Sequence, residues 1–227
     1  MGNHLKQPVC IDFYGLPGCG KSTLSHVVAK KLRTVDFDVE ETTYNVDHVY
    51  STPYRIIKKV FSTILLLIRY PNVFRRVSKG VPFFSKDYFH HFLNIPYKVL
   101  AAKSSKALLV FDEGFCQSIL SMAFSDEKIS YNHYHSVIMA MACNRRMVNV
   151  YVKTNPQTSL ARIRKRSDGQ SRFDYISDVI AMEKLVQLES LCESLPYAIM
   201  VDNNNSKDSL DEEANNVVEY LRKMVLQ

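Results

Sequence analysis

The chain has 227 residues, enough for one well-buried α/β core without requiring two full domains. Its hydrophobic content of 46% excludes a disordered chain, and five scattered cysteines without C-x-x-C spacing exclude a disulfide framework or a zinc site and fit a reducing compartment. A net charge of +6 suits anionic ligands in general, but no stretch joins a basic face to base-stacking aromatics, so no nucleic acid partner is expected.

Residues 1–7 lack the apolar core of a signal peptide, and Lys6 stands where a myristoylation signal carries Ser or Thr. The apolar run 64–68 is far too short to span a bilayer, so a cytoplasmic location is expected. Residues 9–14 then read as a short, mostly apolar strand. Gly15-Leu16-Pro17-Gly18-Cys19-Gly20-Lys21-Ser22 follows and fits G-x-x-x-x-G-K-[ST]. Downstream, Leu24, Val27, Val28 and Leu32 recur at helical spacing. Strand, glycine loop and helix are the setting that a phosphate-binding loop requires. Gly15, Gly18 and Gly20 permit close backbone approach, and loop N–H groups with the helix N-terminus can surround a polyphosphate. Lys21 is expected to reach the β/γ-phosphates of ATP and the Ser22 hydroxyl to coordinate Mg²⁺. Pro17, Cys19 and Thr23 complete the nucleotide-contacting stretch, although Cys19 also reads as a space-filling residue.

Residues 37–41 predict a second strand, ending near Thr42, and 44–53 a loop. The next stretch is unusual. Between His48 and Lys86 there is no acidic residue, yet it carries Arg55, Lys58, Lys59, Arg69, Arg75, Arg76, Lys79 and Lys86. Within it Ile57, Val60, Phe61, Ile64, Leu65 and Ile68 predict a helix with one apolar stripe, ended by Pro71. Three readings stay open: a helix packed on the body with a solvated basic face, a basic face for an anionic acceptor or acidic partner, and a helix lying on a membrane surface. Residues 86–104 again look helical, with Pro96 as a kink. The adjacent His90 and His91 diverge by about 100° in a helix and read as ordinary histidines rather than metal ligands.

Residues 107–111 form a continuous apolar run closing on Asp112-Glu113-Gly114, the pattern of a strand buried on both faces of a parallel sheet. Helices are predicted over 115–124 and 132–144, a strand over 147–152, and a helix beginning at Thr154-Asn155-Pro156. A break at Asp168-Gly169 precedes a long helix over 175–194, a strand over 197–201 and a final helix over 210–224. Five strands alternating with helices predict a three-layer α/β fold with a five-stranded parallel sheet, whose ligands bind at the carboxyl ends of the strands. Glu41, Asp112 and the glycine loop all lie at those ends. Asp112 is placed to bind Mg²⁺ or to cap the following helix; Glu41 or Glu113 is placed to take a proton from an acceptor hydroxyl. Arg162 and Arg166 share a helix face, and Arg172 follows the Gly-containing break, as arginines of a flap over a transferring phosphoryl group would.

With these residues in view, the chain resembles the P-loop kinases of the nucleoside monophosphate kinase group, and its second half is most similar to thymidylate kinase. The resemblance rests on 8–43 and 106–225, above all on the glycine loop and on Arg162, Arg166 and Arg172-Phe173-Asp174. It implies a P-loop NTPase fold over 1–227, an Arg-rich lid over 162–174, and ATP and Mg²⁺ as cofactors. Residues 44–105 match poorly and read as a divergent helical acceptor-side insertion. Thymidylate kinases carry an Arg after the strand-end Asp and an Arg-Glu-Pro after the second strand; this chain has Glu113-Gly114 and Glu40-Glu41-Thr42 there. Glu41 resembles the general base of deoxynucleoside kinases.

The expected activity is therefore transfer of the ATP γ-phosphate to a small-molecule acceptor, with a hydroxyl favoured over a nucleoside monophosphate. The basic stretch keeps an anionic acceptor open, and a nucleotide-dependent switch or ATPase subunit is the alternative of another class. A homodimer and a peripheral membrane contact stand among the expected associations.

Overall fold

The five apolar runs pair side by side into one all-parallel sheet. The molecule is described here from a computed structural model, over residues 9–44, 52–78, 93–125, 146–166, 172–204 and 208–226. Strand β1 (Val9–Gly15) is buried along its whole length and occupies the centre. It pairs with β3 (Leu108–Phe111), where Ile11 faces Val110, and with β4 (Arg146–Lys153), where Ile11 faces Val148. The sheet extends to β2 (Val39–Glu41) beyond β3 and to β5 (Ile199–Asp202) beyond β4. Strands covered on both faces need continuous apolar sequence, which β1 and β3 supply.

Helix α1 (Lys21–Thr34) buries Leu24, Val28 and Leu32, and α8 (Asp208–Leu226) lies against it with Val217 and Leu221 inward. These join Ile11, Phe13 and Val150 in the larger core. Between β2 and β3 the chain forms α2 (Thr52–Arg69), α3 (Pro71–Ser78) and α4 (Asn94–Ser104). After β3 comes α5 (Phe115–Ser125). A second cluster covers β1 and β3 with Ile95 and Val99 of α4, Phe115 and Ile119 of α5, and Leu66 of α2. Helix α6 (Pro156–Arg166) follows β4; a 3₁₀ turn (Arg172–Tyr175) and α7 (Asp178–Ser194) lead to β5.

Boundaries shift from the sequence reading for local reasons. Strand β2 begins at Val39 because the Phe37 N–H still bonds back to Leu32 O (3.2 Å) and Asp36 turns the chain at φ 64°. Pro71 does not merely end α2; it starts α3 directly, a position where a missing N–H costs nothing. Pro53 and Pro96 likewise lie in first turns, so Pro96 makes no kink, and the loop expected at 52–53 is helix. Ser177 caps α7 and so moves its start to Asp178. Asn155 caps α6 through Thr158 N (2.7 Å). The helix expected over 132–144, and His90 and His91, lie outside the described residues.

The largest departure is α2. Of the three readings left open for it, packing of the apolar stripe on the body does not hold: Ile57, Phe61 and Ile68 are 62–72% exposed, while Ser62 and Leu66 turn inward. Lys58 reaches the body from the helix edge, with Nζ 5.3 Å from the Tyr97 ring centre. No helix among the described residues is long and apolar enough to cross a membrane.

Candidate active site

Strand β1 delivers the chain to a tight loop before α1. Gly18 and Gly20 hold φ of 77° and 91°, conformations that L side chains rarely adopt. A Cβ at Gly20 would also lie 2.5 Å from Asn203 Nδ2. That amide closes the loop from below by donating to Cys19 O (2.7 Å), while Asn203 N is tied to Lys153 O (2.9 Å). Ser159 of α6 bonds Pro17 O, and Gln117 of α5 accepts from Gly15 N (3.2 Å). The loop is thus fastened to β4, β5, α5 and α6.

Lys21 folds back over this loop. Its ammonium donates to Gly15 O (3.3 Å) and Leu16 O (3.0 Å), lies 3.7 Å from Cys19 Sγ, and is 7% exposed. A largely desolvated cation held by two carbonyl oxygens and a thiol is poised to exchange them for an anion. Ser22 and Thr23 start α1 beside it, Thr23 exposed. Cys19 is fully buried, so it fills space.

At the ends of β2 and β3, Thr43 and Asp112 clasp each other. The Thr43 hydroxyl donates to Asp112 Oδ1 and accepts from Asp112 N (3.0 Å). Beneath them lies a charge cluster that the sequence reading missed. Asp12 of β1 is wholly buried and accepts from Cys116 N (2.9 Å) through Oδ2; its Oδ1 has no hydrogen-bond partner. A Cβ at Gly114 would come within 1.9 Å of that oxygen, which is why glycine follows Glu113. Burial pushes the Asp12 carboxyl up to about 6, against the Cys116 N–H and the Lys98 charge. Lys98 of α4 is buried as well and donates to Gly114 O (2.8 Å) and Ser118 Oγ (2.7 Å). Burial lowers its pKa, against the pull of Glu113 and Asp12. Its only sequence signal is a lysine among Tyr97, Val99 and Leu100.

The two candidate bases differ sharply. Glu41 is buried, and both its oxygens are engaged: Oε1 lies 2.8 Å from His26 Nδ1, and Oε2 accepts from Arg33 Nη1 (2.7 Å). Glu113 is exposed at the end of β3. Arg162 is half-buried beside the loop, its Cβ 3.6 Å from where a Gly18 side chain would begin, and Arg166 is exposed at the end of α6. Arg164 does other work. It donates to Phe173 O (2.7 Å), Ile176 O (2.8 Å) and Asp178 (2.9 Å), pinning the 3₁₀ turn to α6. The side chain of Arg172 lies outside the described residues.

No family model and no curated protein matches the chain. Solved structures do. Deoxyadenosine kinase from M. mycoides with bound dATP is similar over 93% of this chain and 100% of that one, at 16% identity and a TM-score of 0.53. The same kinase with products dCMP and a flexible dCDP bound matches over 95% and 100%, at 15% identity and a TM-score of 0.52. This is the P-loop kinase fold. These neighbours support that fold without singling out thymidylate kinase. The fold brings Lys21, Ser22, Asp112 and Glu113 to one edge of the sheet and turns Glu41 toward α1.

Proposed function

We propose that the chain is an ATP-dependent kinase of nucleoside-kinase type, moving the γ-phosphate of ATP to a hydroxyl of a small molecule. One observation carries the reading: the Lys21 ammonium lies desolvated on the carbonyls of a glycine loop, on the same sheet edge as Asp112 and Glu113. Binding of a polyphosphate exchanges the Gly15 and Leu16 carbonyls around Lys21 for phosphate oxygens, and the loop N–H groups take the rest. Ser22 and Asp112 fit Mg²⁺, since one hydroxyl and one carboxylate leave room for the water and phosphate oxygens that this ion prefers. When bound there, the ion would offset charge on the phosphates.

On the acceptor side, Glu113 is the better base, because Glu41 already spends both oxygens on His26 and Arg33. Thr43 fixes the Asp112 carboxylate. Arg162, Arg166 and Arg172 are assigned to neutralise the transferring group. The solved neighbours are named as deoxyadenosine kinases, which makes nucleosides the first acceptors to try. A phosphorylated acceptor is the second reading, favoured by Arg55 and Lys59, half-buried on the edge of α2 toward Lys98. Purified protein given ATP and Mg²⁺ is tested against nucleosides and against nucleoside monophosphates, with ADP release as the readout. Stimulation by nucleosides supports the hydroxyl reading; stimulation by monophosphates alone selects the second. Hydrolysis indifferent to every acceptor overturns both.

A further inference from the structure

The basic run at the end of α6 divides into two groups. Arg162 and Arg166 share one side of the helix, whereas Arg164 projects about 200° round from Arg162. Arg162 lies beside the glycine loop; Arg164 turns to the chain that returns at the 3₁₀ turn. All three of its guanidinium nitrogens are engaged there: Nη1 donates to Phe173 O (2.7 Å), Nη2 to Ile176 O (2.8 Å) and Nε to Asp178 Oδ1 (2.9 Å). Nη2 also lies 2.8 Å from that carboxylate oxygen. The turn does little to hold itself, because its own closing bond, Ile176 N to Phe173 O, is long at 3.5 Å. The planar fork of Arg164 supplies the closure, spanning acceptors from Phe173 to Asp178.

The other side of the turn meets the loop. Phe173 is 3% exposed and belongs to the larger core. It lines one crevice with Gly15 and Pro17 of the loop and with Leu188 and Cys192 of α7. Phe173 is thus held twice, its ring beside the loop and its carbonyl on Arg164, and Arg172 is the residue just before it. We infer that Arg164 is a positioning residue for phosphoryl transfer: it touches no phosphate, and it sets the turn that carries Arg172 against the glycine loop. This inference rests on the kinase reading. It gives the arginines of one run unequal roles, with charge decisive at Arg162, Arg166 and Arg172 and geometry decisive at Arg164.

Arg164→Met and Arg164→Lys test it, assayed with ATP, Mg²⁺ and the acceptor that stimulates the wild type. Lysine keeps the charge, but one ammonium cannot span the three acceptors of the fork. Both variants should therefore lose kcat, by at least about tenfold and by up to roughly 10²-fold. The ATP KM should stay within about twofold, since the loop and Lys21 are untouched. A purely structural role would lower the melt and leave kcat per folded molecule unchanged. Combining Arg164→Met with Arg172→Ala completes a cycle: a lesion acting through the turn adds little to loss of Arg172, whereas independent phosphate contacts multiply. The full chain contains no tryptophan, so Tyr175→Trp places a single exposed reporter on the turn. Its anisotropy should fall when Arg164→Met is added, with the melt still cooperative. Full kcat in Arg164→Met overturns the inference, as do rescue by lysine, multiplicative losses in the cycle and an unchanged anisotropy. Should Arg164→Met not fold, Arg164→Lys decides by the same measurements. A wild type that no acceptor stimulates removes the kinase reading and this inference with it, an outcome distinguished by the inactivity of the wild type itself.

Discussion

Around the glycine loop, the Lys21 ammonium apart, polar atoms are joined by neutral groups: the Asn203 amide to Cys19 O, Gln117 to Gly15 N, Ser159 to Pro17 O. Around the ends of β2 and β3, they are joined through buried charges: Asp12, Lys98 and Glu41, the last paired with the more exposed Arg33 and His26. The two halves of one sheet edge therefore respond to different insults. Neutral hydrogen bonds are individually modest and indifferent to pH. Buried charges are costly to bring in, and more costly to leave half-paired. A phosphate-binding loop must keep its shape while ligands of high charge come and go. The acceptor half is built on carboxylates and a lysine whose charge states depend on one another.

The sharpest way to break this contrast is at Lys21. Lys21→Ala should cut kcat by roughly 10³-fold or more, since it removes the cation that the glycine loop holds for the phosphates. The melt should barely move, because loop geometry rests on Asn203, Ser159 and glycine conformation instead. Near-normal turnover in this variant would remove the donor-side assignment. On the other half, Lys98→Met should lose about 3 kcal/mol of stability by leaving buried Asp12 without its neighbouring cation, although Gly114 O keeps Ser118 N and Ser118 Oγ as donors. Urea unfolding measures it; an unchanged midpoint would mean that the buried charge is not a structural anchor.

A finer division separates the two glutamates. Glu113→Gln should lower kcat by roughly 10²-fold with little effect on the melt, as expected of a base facing the acceptor. Glu41→Gln should instead lower the melting temperature, because it weakens the pairing with Arg33 and His26 in a buried place. The reverse result would return the base to Glu41. If both variants keep full kcat and Lys59→Ala or Arg55→Ala raises the acceptor KM, the acceptor carries a phosphate.

Legibility followed the same division. The glycine loop, its strand and its helix could be read because their signal is local: eight consecutive residues, an apolar run before them and a helical period after. Asp112 was legible as the polar end of an apolar strand. Asp12 and Lys98 were not. Each looks like an ordinary charged residue in its own segment, and only the parallel pairing of β1 and β3, with α4 laid across it, buries them behind Gly114. Asn203 was likewise hidden in an asparagine run, since its partner lies 184 residues away. Helix α2 had the right period, and the sequence leaves open which way its stripe turns. Periodicity reveals that a stripe exists, and what it meets depends on the body.

The smallest effect is also the most diagnostic of buried charge. Asp12 keeps its proton up to about pH 6 in the folded protein, because burial disfavours the anion, whereas the unfolded chain loses it near the ordinary 3.8. Between those values the native state binds more protons than the unfolded state, so stability falls as pH rises. The contribution is fully present below the unfolded value and gone once pH passes the folded one. Its slope cannot exceed one proton, about 1.4 kcal/mol per pH unit. Asp12→Asn has no proton to lose and keeps an oxygen for Cys116 N. The variant should therefore show a shallower decline in urea midpoint between pH 4 and 6, with the two profiles running parallel above that window. Contributions common to both proteins cancel in the difference. Lys98 is the group that departs from this cancellation: burial already lowers its pKa, and loss of the neighbouring anion lowers it further. Parallel profiles across the whole acid range would show that Asp12 titrates in the folded protein as it does in the unfolded chain, and the contrast between neutral and charged halves would then rest on Lys98 and Glu41 alone.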